Sequence, residues 1–141
     1  MSIQISPVQY ARAIQSQLKA IVGTGVPVYA NFNRNYANEK KFITWQLRDV
    51  HQPVYTGQTK SNRGIDTPTF QTSIFAQDMN DAFTLANDIL QFLNGYAGNF
   101  GVGNNIRFWV GKVDARILYH NYDNELGLHG VYMDCTLYVP A

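Results

Sequence analysis

Three histidines, one cysteine and a few carboxylates are the side chains of this sequence best suited to making or breaking a bond. His51, His120 and His129 stand in no metal-ligand spacing such as HExxH, and there is no CxxC. They read as surface or interface histidines. His129 and Cys135 share a face of one expected strand, but six residues at ~3.3 Å each separate them by roughly 20 Å, too far for a nucleophile–base pair. Cys135 therefore reads as a small core residue. "GQTKS" (Gly57 to Ser61) has Thr59 where a phosphate loop needs its second glycine, and "GVGNN" lacks the GxGxxG spacing. Asp78 and Asp81 read as a helix cap and a first-turn acid. Asp114 and Asp134 lie among strand residues with Arg116 at hand, which favours ion pairing over acid–base work. No catalytic constellation, cofactor site or metal site emerges, and the sequence points away from an enzyme.

Bulk properties narrow the classes further. A chain of 141 residues is expected to form one domain, spanning 1–141, and to bury roughly 70% of its extended surface. The formal net charge of +1 gives no broad basic field for binding a polyanion. Arg34, Lys40, Lys41, Lys60 and Arg63 form the one basic concentration, on expected loops, and no nucleic-acid recognition motif accompanies them. A single cysteine excludes an internal disulfide. The sequence shows neither an apolar run long enough for a membrane helix nor a signal-peptide pattern. Nine tyrosines with few charges suit a protein that buries surface against partners.

The elements that position these residues follow from periodicity. Ser6 and Pro7 open a first helix that Gly23 closes, with Tyr10, Ala11, Ile14, Leu18, Ile21 and Val22 on one face. Val26 to Phe32 alternates as a strand, and Pro27 puts it at a sheet edge or at the start of the strand. A second strand runs from Phe42 to Val50. The polar segment Thr56 to Pro68 is a long loop, and "TFQTSIFA" is a third strand. Asp78 caps a second helix whose stripe is Met79, Ala82, Phe83, Ala86, Ile89, Leu90 and Leu93, ended by Gly95. Gly95 to Asn105 reads as a flexible connection. The expected fold is α+β: a mostly antiparallel sheet of four to five strands, two helices on one face, and a long C-terminal hairpin.

Centring the hairpin turn on Glu125 pairs residues whose numbers sum to 250. Val113, Ala115, Ile117, Tyr119, Val131, Met133, Cys135, Leu137 and Val139 then share the core face. Arg116 falls opposite Asp134, an expected cross-strand ion pair. Parity flips near Gly111, where a bulge is expected.

Two stretches carry a resemblance: "FQTSIFAQDMNDAFTLANDILQFLNG" and "ARILYHNYDNELGLHGVYMDCTLYVP", with its D-x-x-x-G turn from Asp123 to Gly127. Together with "VYANFNRN" and "KKFITWQLRD", they resemble the tail terminator (tail completion) family of long-tailed bacteriophages over residues 5 to 140. The resemblance implies a structural virion protein, made in the host cytoplasm. It implies a hexameric ring that caps the head-proximal end of the tail tube, stops tube polymerisation and docks the head connector while DNA passes through its lumen unread. The homo-oligomer, the tail tube protein and the head-completion protein are the implied partners, with no membrane and no cofactor. Under that reading the even hairpin face, with Arg116, Leu118, Tyr132, Asp134 and Tyr138, meets a neighbouring subunit. The polar segment carrying Lys60 and Arg63 becomes an arm that contacts the tube or lines the lumen. Two other classes fit less closely: another neck or baseplate-side virion component, and a small-molecule-binding α+β domain. The latter needs a deep apolar pocket with convergent polar groups, which the sequence does not supply.

Overall fold

A computed structural model describes residues 5–33, 38–52 and 65–140. Arg34, Lys60 and Arg63, and most of the loop expected from Thr56 to Pro68, lie outside the described residues. Among the described residues nine elements run in the order α1 (Pro7–Val22), β1 (Val28–Ala30), β2 (Lys41–His51), β3 (Ile65–Ala76), α2 (Met79–Leu93), β4 (Gly98–Phe100), β5 (Phe108–Val110), β6 (Lys112–Asp123) and β7 (Leu128–Pro140).

Helix α1 starts and stops where its sequence signals stand. The Ser6 hydroxyl accepts from the Gln9 amide at 3.2 Å, Pro7 occupies the first turn, and Gly23 closes the helix at φ 78° with its N–H donated to the Lys19 carbonyl. Its buried face is Tyr10, Ala13, Ile14, Gln17 and Leu18, while Ala11, Ile21 and Val22 are only partly covered. The face is turned toward Ala13 and Gln17 because α1 also docks a glycine-rich loop, described below.

The Asp78 carboxylate caps α2 by accepting from the Asn80 amide, and Asp81 sits in the first turn, where the helix dipole favours an acid. Ala82, Leu85, Ala86, Ile89 and Leu93 form its buried line. Met79 and Phe83, expected in that stripe, are 42% and 37% exposed. They flank the line rather than lie on it, and Leu85 takes the central place. The last helical residue is Leu93, Asn94 is the C-cap, and Gly95, the expected terminator, follows at φ 81°.

The main sheet has the order β1-β2-β3-β7-β6, antiparallel throughout except for the parallel β1–β2 pair. Both helices pack on one face, α1 against β1 and β2, α2 against β3, β7 and β6. The fold is thus α+β, with the five strands expected. Edge strand β1 is shorter than its alternation suggested, because Asn31 turns the chain at φ 66° and leaves Phe32 59% exposed.

Strand β3 begins four residues before Thr69. Its start is disguised by polar residues: Asp66 is 2% exposed and accepts from the Tyr10 hydroxyl at 2.9 Å and the Gln52 amide nitrogen at 3.0 Å. Pro68 sits inside this central strand. The β3–β7 ladder registers Asp66 with Val139 and Thr69 with Thr136 but skips the two residues between, an interruption that suits a residue with no N–H.

The segment expected to be a flexible connection contains β4, which pairs with β5 in a separate two-stranded sheet. Phe100 is fully buried, 5.8 Å from the Phe108 ring, which in turn meets Tyr10 edge-on at 5.0 Å. α1 holds the loop by three hydrogen bonds. The Gln17 side-chain oxygen accepts from the Gly101 amide at 2.9 Å, Ser16 Oγ accepts from the Val102 amide at 3.0 Å, and Gln9 Nε2 donates to the Ile106 carbonyl at 3.2 Å. The parity flip at Gly111 is real, but it marks the passage from the small sheet to the main one rather than a bulge: Phe108 and Val110 are buried before it, Val113 after it.

Candidate functional site

The C-terminal hairpin is built on a four-residue turn. Asp123 Oδ1 accepts from the Glu125 and Leu126 amides at 3.0 and 3.1 Å, the Gly127 amide donates to the Asp123 carbonyl at 2.8 Å, and Gly127 adopts φ 70°. From Lys112↔Tyr138 to Ile117↔Met133 the pairing follows the expected sum of 250. A bulge then intervenes, and from Tyr119↔Tyr132 to Asp123↔Leu128 the sum is 251. Leu118 is the extra residue, 39% exposed. The bulge overturns the face expected for Tyr119. It lies beside Tyr132, ring centroids 4.5 Å apart and nearly parallel, and is 53% exposed.

Tyr132 is held from three sides. Its ring meets Phe75 edge-on at 6.0 Å, stacks on Tyr119, and folds back over Gly130, where an added Cβ would stand 2.8 Å from the Tyr132 hydroxyl. Burial pushes its phenol up from the usual tyrosine range, with Tyr119 and Asp123 adding to the effect. This end of the outer sheet face is a second small core of Phe42, Phe75 and Leu128, with Tyr29, Leu126 and Tyr132 packed against it. The other end is polar. Arg116 stands opposite Asp134 in register, yet the ion pair formed at Asp134 is with Arg48, 3.1 Å away and two strands over. Arg48 is itself a bulge residue, between Leu47 and Asp49 of β2, which frees its side chain to cross β3. An open cleft of about 330 Å³ is lined here by Asp114, Arg116, Asp134 and Thr136. Tyr138 is half-buried, with the Lys112 ammonium 5.8 Å from its ring centre. Tyr132 and Tyr138 thus sit at opposite ends of one outer face, with Asp134 between them, and Leu118 stands at the bulge on its border.

The helix-side end of the hairpin gathers residues that linear spacing did not connect. His120 and His129 stack at 5.6 Å with Nε2 and Nδ1 3.4 Å apart, Tyr122 packs edge-on against His129 at 5.0 Å, and Phe83 of α2 lies 5.1 Å from His120. The pairing of β6 with β7 places the two histidines on diagonal positions, a signal available only once the register is known. Among the described residues no group of three or more His, Cys, Asp or Glu side chains could hold a metal ion. Cys135 is wholly buried, and burial, with the Asp134 charge adding, pushes its thiol up to about 12, so it remains a protonated core residue.

Strand β6 is the far edge of the sheet. Its first residues are covered by the end of α2: the Gly95 amide donates to the Val113 carbonyl at 2.8 Å and Asn94 Oδ1 accepts from the Ala115 amide at 3.2 Å. From Ile117 to Tyr122 no hydrogen bond among the described residues reaches its outer side. Leu118, Tyr119 and Tyr122 (39%, 53% and 51% exposed) and Phe83 of α2, which lies against His120, border this open stretch. At the opposite edge, α1, β1 and Trp45 enclose a groove of about 650 Å³ whose rim carries Arg12 and Lys19. The groove drew no notice in the sequence, since it combines residues from distant elements.

No known family profile and no curated protein matches the sequence. Solved structures do match. A chain from the virion of a native gene transfer agent particle superposes with a TM-score of 0.59 at 15% identity, over 95% of both chains. A second solved chain, which carries no functional name, gives a TM-score of 0.55 at 12% identity, over 95% of this chain and 96% of that one. The sheath/tube terminator of an extracellular contractile injection system gives 0.46 at 11% identity, this chain spanning 58% of its length. At these identities the first two establish a shared fold from end to end.

Proposed function

We propose that this chain is a structural virion protein of the tail terminator kind, which forms a ring, caps the head-proximal end of a tail tube and offers the docking surface for the head connector. The observation that carries the reading is the fold shared over 95% of both chains with a virion component of a gene transfer agent particle. The surface of the molecule supports it. What is exposed and chemically distinctive is an open sheet edge bordered by tyrosines and an apolar groove at the opposite edge, both suited to protein contact. The protein acts through these surfaces and not through a bond it makes or breaks. Its partners on this reading are copies of itself, the tail tube protein and the connector. Arg116, Leu118, Tyr132, Asp134 and Tyr138 of the hairpin face a neighbour, and Lys60 and Arg63 contact the tube or lumen.

The test is assembly. Sedimentation velocity and electron microscopy of the purified protein, alone and with tail tubes, are expected to show closed rings and tubes capped at one end. Particles lacking the protein are expected to carry tails of unregulated length that fail to join heads. A monomer at every concentration, together with normal tails in its absence, refutes the proposal. Immunogold label elsewhere on the particle would reassign the chain to another virion position. Reversing the charges of Lys60 and Arg63 without effect on assembly would remove those two residues from the contact.

A further inference from the structure

We infer that two copies of this chain join head to tail, the β6–α2 flank of one seated on the α1–β1 groove of the next. This deepens the ring proposal and rests on it. The first ground is charge. Among the described residues, those up to Gln52 hold five Lys and Arg against two Asp and Glu, and those from Ile65 onward hold three against eight. No Lys or Arg lies between Gly64 and Ile106, or beyond Arg116. The sheet order converts this segregation along the chain into segregation across the molecule. β1, β2 and α1 form one lateral half, and β3, β7, β6 and α2 the other. One flank is therefore basic and the other acidic, an arrangement in which each copy is complementary to the next.

The second ground is what each flank leaves uncovered. On the acidic side the outer edge of β6 is unpaired from Ile117 to Tyr122, bordered by Leu118, Tyr122 and Phe83, with Asp78 and Asp123 at the hairpin end. On the basic side the groove has an apolar floor of Val28 and Trp45, and Arg12 and Lys19 on its rim have no acidic partner among the described residues. The groove's own edge is already closed, since Gln15 Nε2 donates to the Val28 carbonyl at 2.9 Å and Gln15 Oε1 accepts from Trp45 Nε1. The contact thus consists of side chains entering the groove, not of a strand added to β1. Because the two surfaces differ and lie on opposite flanks, the contact is heterologous and repeats until the chain of subunits closes.

The experiment uses exposed side chains on each flank: Arg12→Glu with Lys19→Glu on one, Leu118→Lys with Tyr122→Lys on the other. Either pair is expected to raise the protein concentration needed for ring assembly by about tenfold or more, and combining all four in one chain is expected to recover assembly in part, because the introduced lysines and glutamates attract across the contact. Circular dichroism checks that each variant folds. For any that does not, Lys19→Cys and Tyr122→Cys variants are mixed, and a disulfide-linked dimer is expected only in the mixture. Wild-type rings with unaltered assembly in both charge variants, or with no disulfide in the mixture, overturn this interface and leave the ring standing. A wild-type protein that never self-associates, on tubes or off them, overturns the ring and this interface with it.

Discussion

Gly101 joins the small sheet to α1, and replacing it with alanine tests how that junction is built. The residue has φ 98°, a region L side chains rarely adopt, and holding a side chain there costs ~1–3 kcal/mol. The added methyl would also stand 3.0 Å from Ala13 Cβ, 3.2 Å from Ala13 Cα and 3.3 Å from Arg107 Cα. Two of those atoms are backbone and cannot rotate away, so overpacking adds ~1–3 kcal/mol. Loosening the loop would further weaken the hydrogen bond between Gly101 and the buried Gln17 side chain. The expected loss for Gly101→Ala is about 2–6 kcal/mol, a large share of the ~5–15 kcal/mol that stabilises an ordinary domain.

Urea unfolding of three variants separates the contributions. At Gly25 an added Cβ meets nothing within 4 Å, so Gly25→Ala should stay within ~1 kcal/mol of wild type. Gly103 has φ 123°, but its nearest obstacle is the end of the Ile106 side chain at 3.3 Å, which can turn aside; Gly103→Ala should show the backbone strain alone, ~1–3 kcal/mol. Pairing Gly101→Ala with Ala13→Gly removes the closest contact, and the double variant should be more stable than the sum of its parts by ~1 kcal/mol or more, although glycine within a helix itself costs ~1 kcal/mol. If Gly101→Ala costs no more than Gly103→Ala, α1 and the loop are not in contact as described. Val102 and Ile106 line clefts beside α1, so the same variant should also disturb the groove.

Three further outcomes follow from the hairpin. A double-mutant cycle on Arg48 and Asp134 should give a coupling of ~0.2–1 kcal/mol that fades at high salt, since Arg48 is half exposed, while the Arg116–Asp134 cycle should give nearly none; the reverse order would restore the pairing expected from register alone. Gly130→Ala should displace the Tyr132 ring and unstack it from Tyr119, read as a fall of the Tyr132 phenol pKa toward the usual range and a loss of ~1–3 kcal/mol; an unchanged titration would refute the close approach. Cys135 predicts an alkaline loss of stability. The unfolded thiol ionises near 9 and the folded one near 12, so between these values the unfolded state binds fewer protons, and stability falls by ~1.4 kcal/mol per pH unit relative to a Cys135→Val variant. Parallel pH profiles for the two proteins would show that the thiol is not sealed in the core.

The elements that local chemistry defines were legible in the sequence. Ser6, Pro7, Gly23 and Asp78 mark helix ends through caps that need no tertiary partner, and the alternation from Val131 to Val139 reads as a half-buried strand because each odd residue faces the helices. What could not be read depends on contacts between distant segments. The bulge at Leu118 inverts the faces of Tyr119 and His120, and nothing in the local pattern marks it, since Leu and Tyr suit either side. Arg48 reaches Asp134 only because a second bulge aims it across β3. The glycines from Gly95 to Gly103 suggest flexibility, yet several serve close approach or left-handed turns in an ordered loop that buries Phe100. Likewise the polar start of β3 is stabilised by Tyr10 and Gln52 on Asp66, partners 56 and 14 residues away in sequence.

An edge strand left open from Ile117 to Tyr122 has two simple ways to be closed by another copy, and the charges of the molecule discriminate between them. Antiparallel pairing of β6 with a second β6 would satisfy the backbone, but it relates the copies by a two-fold axis and stops at a dimer. It would also set the acid-rich half of the chain, three Lys and Arg against eight Asp and Glu, beside its own image, where like charges oppose one another. Seating the same edge on the flank of α1 and β1 brings it instead to the half with five Lys and Arg against two acids among the described residues, and it consumes one surface while leaving the other free for a third copy. Head-to-tail contact therefore covers the edge, uses the charge segregation and permits continued addition until the ends meet. A closed ring requires that continued addition, which the symmetric dimer does not supply.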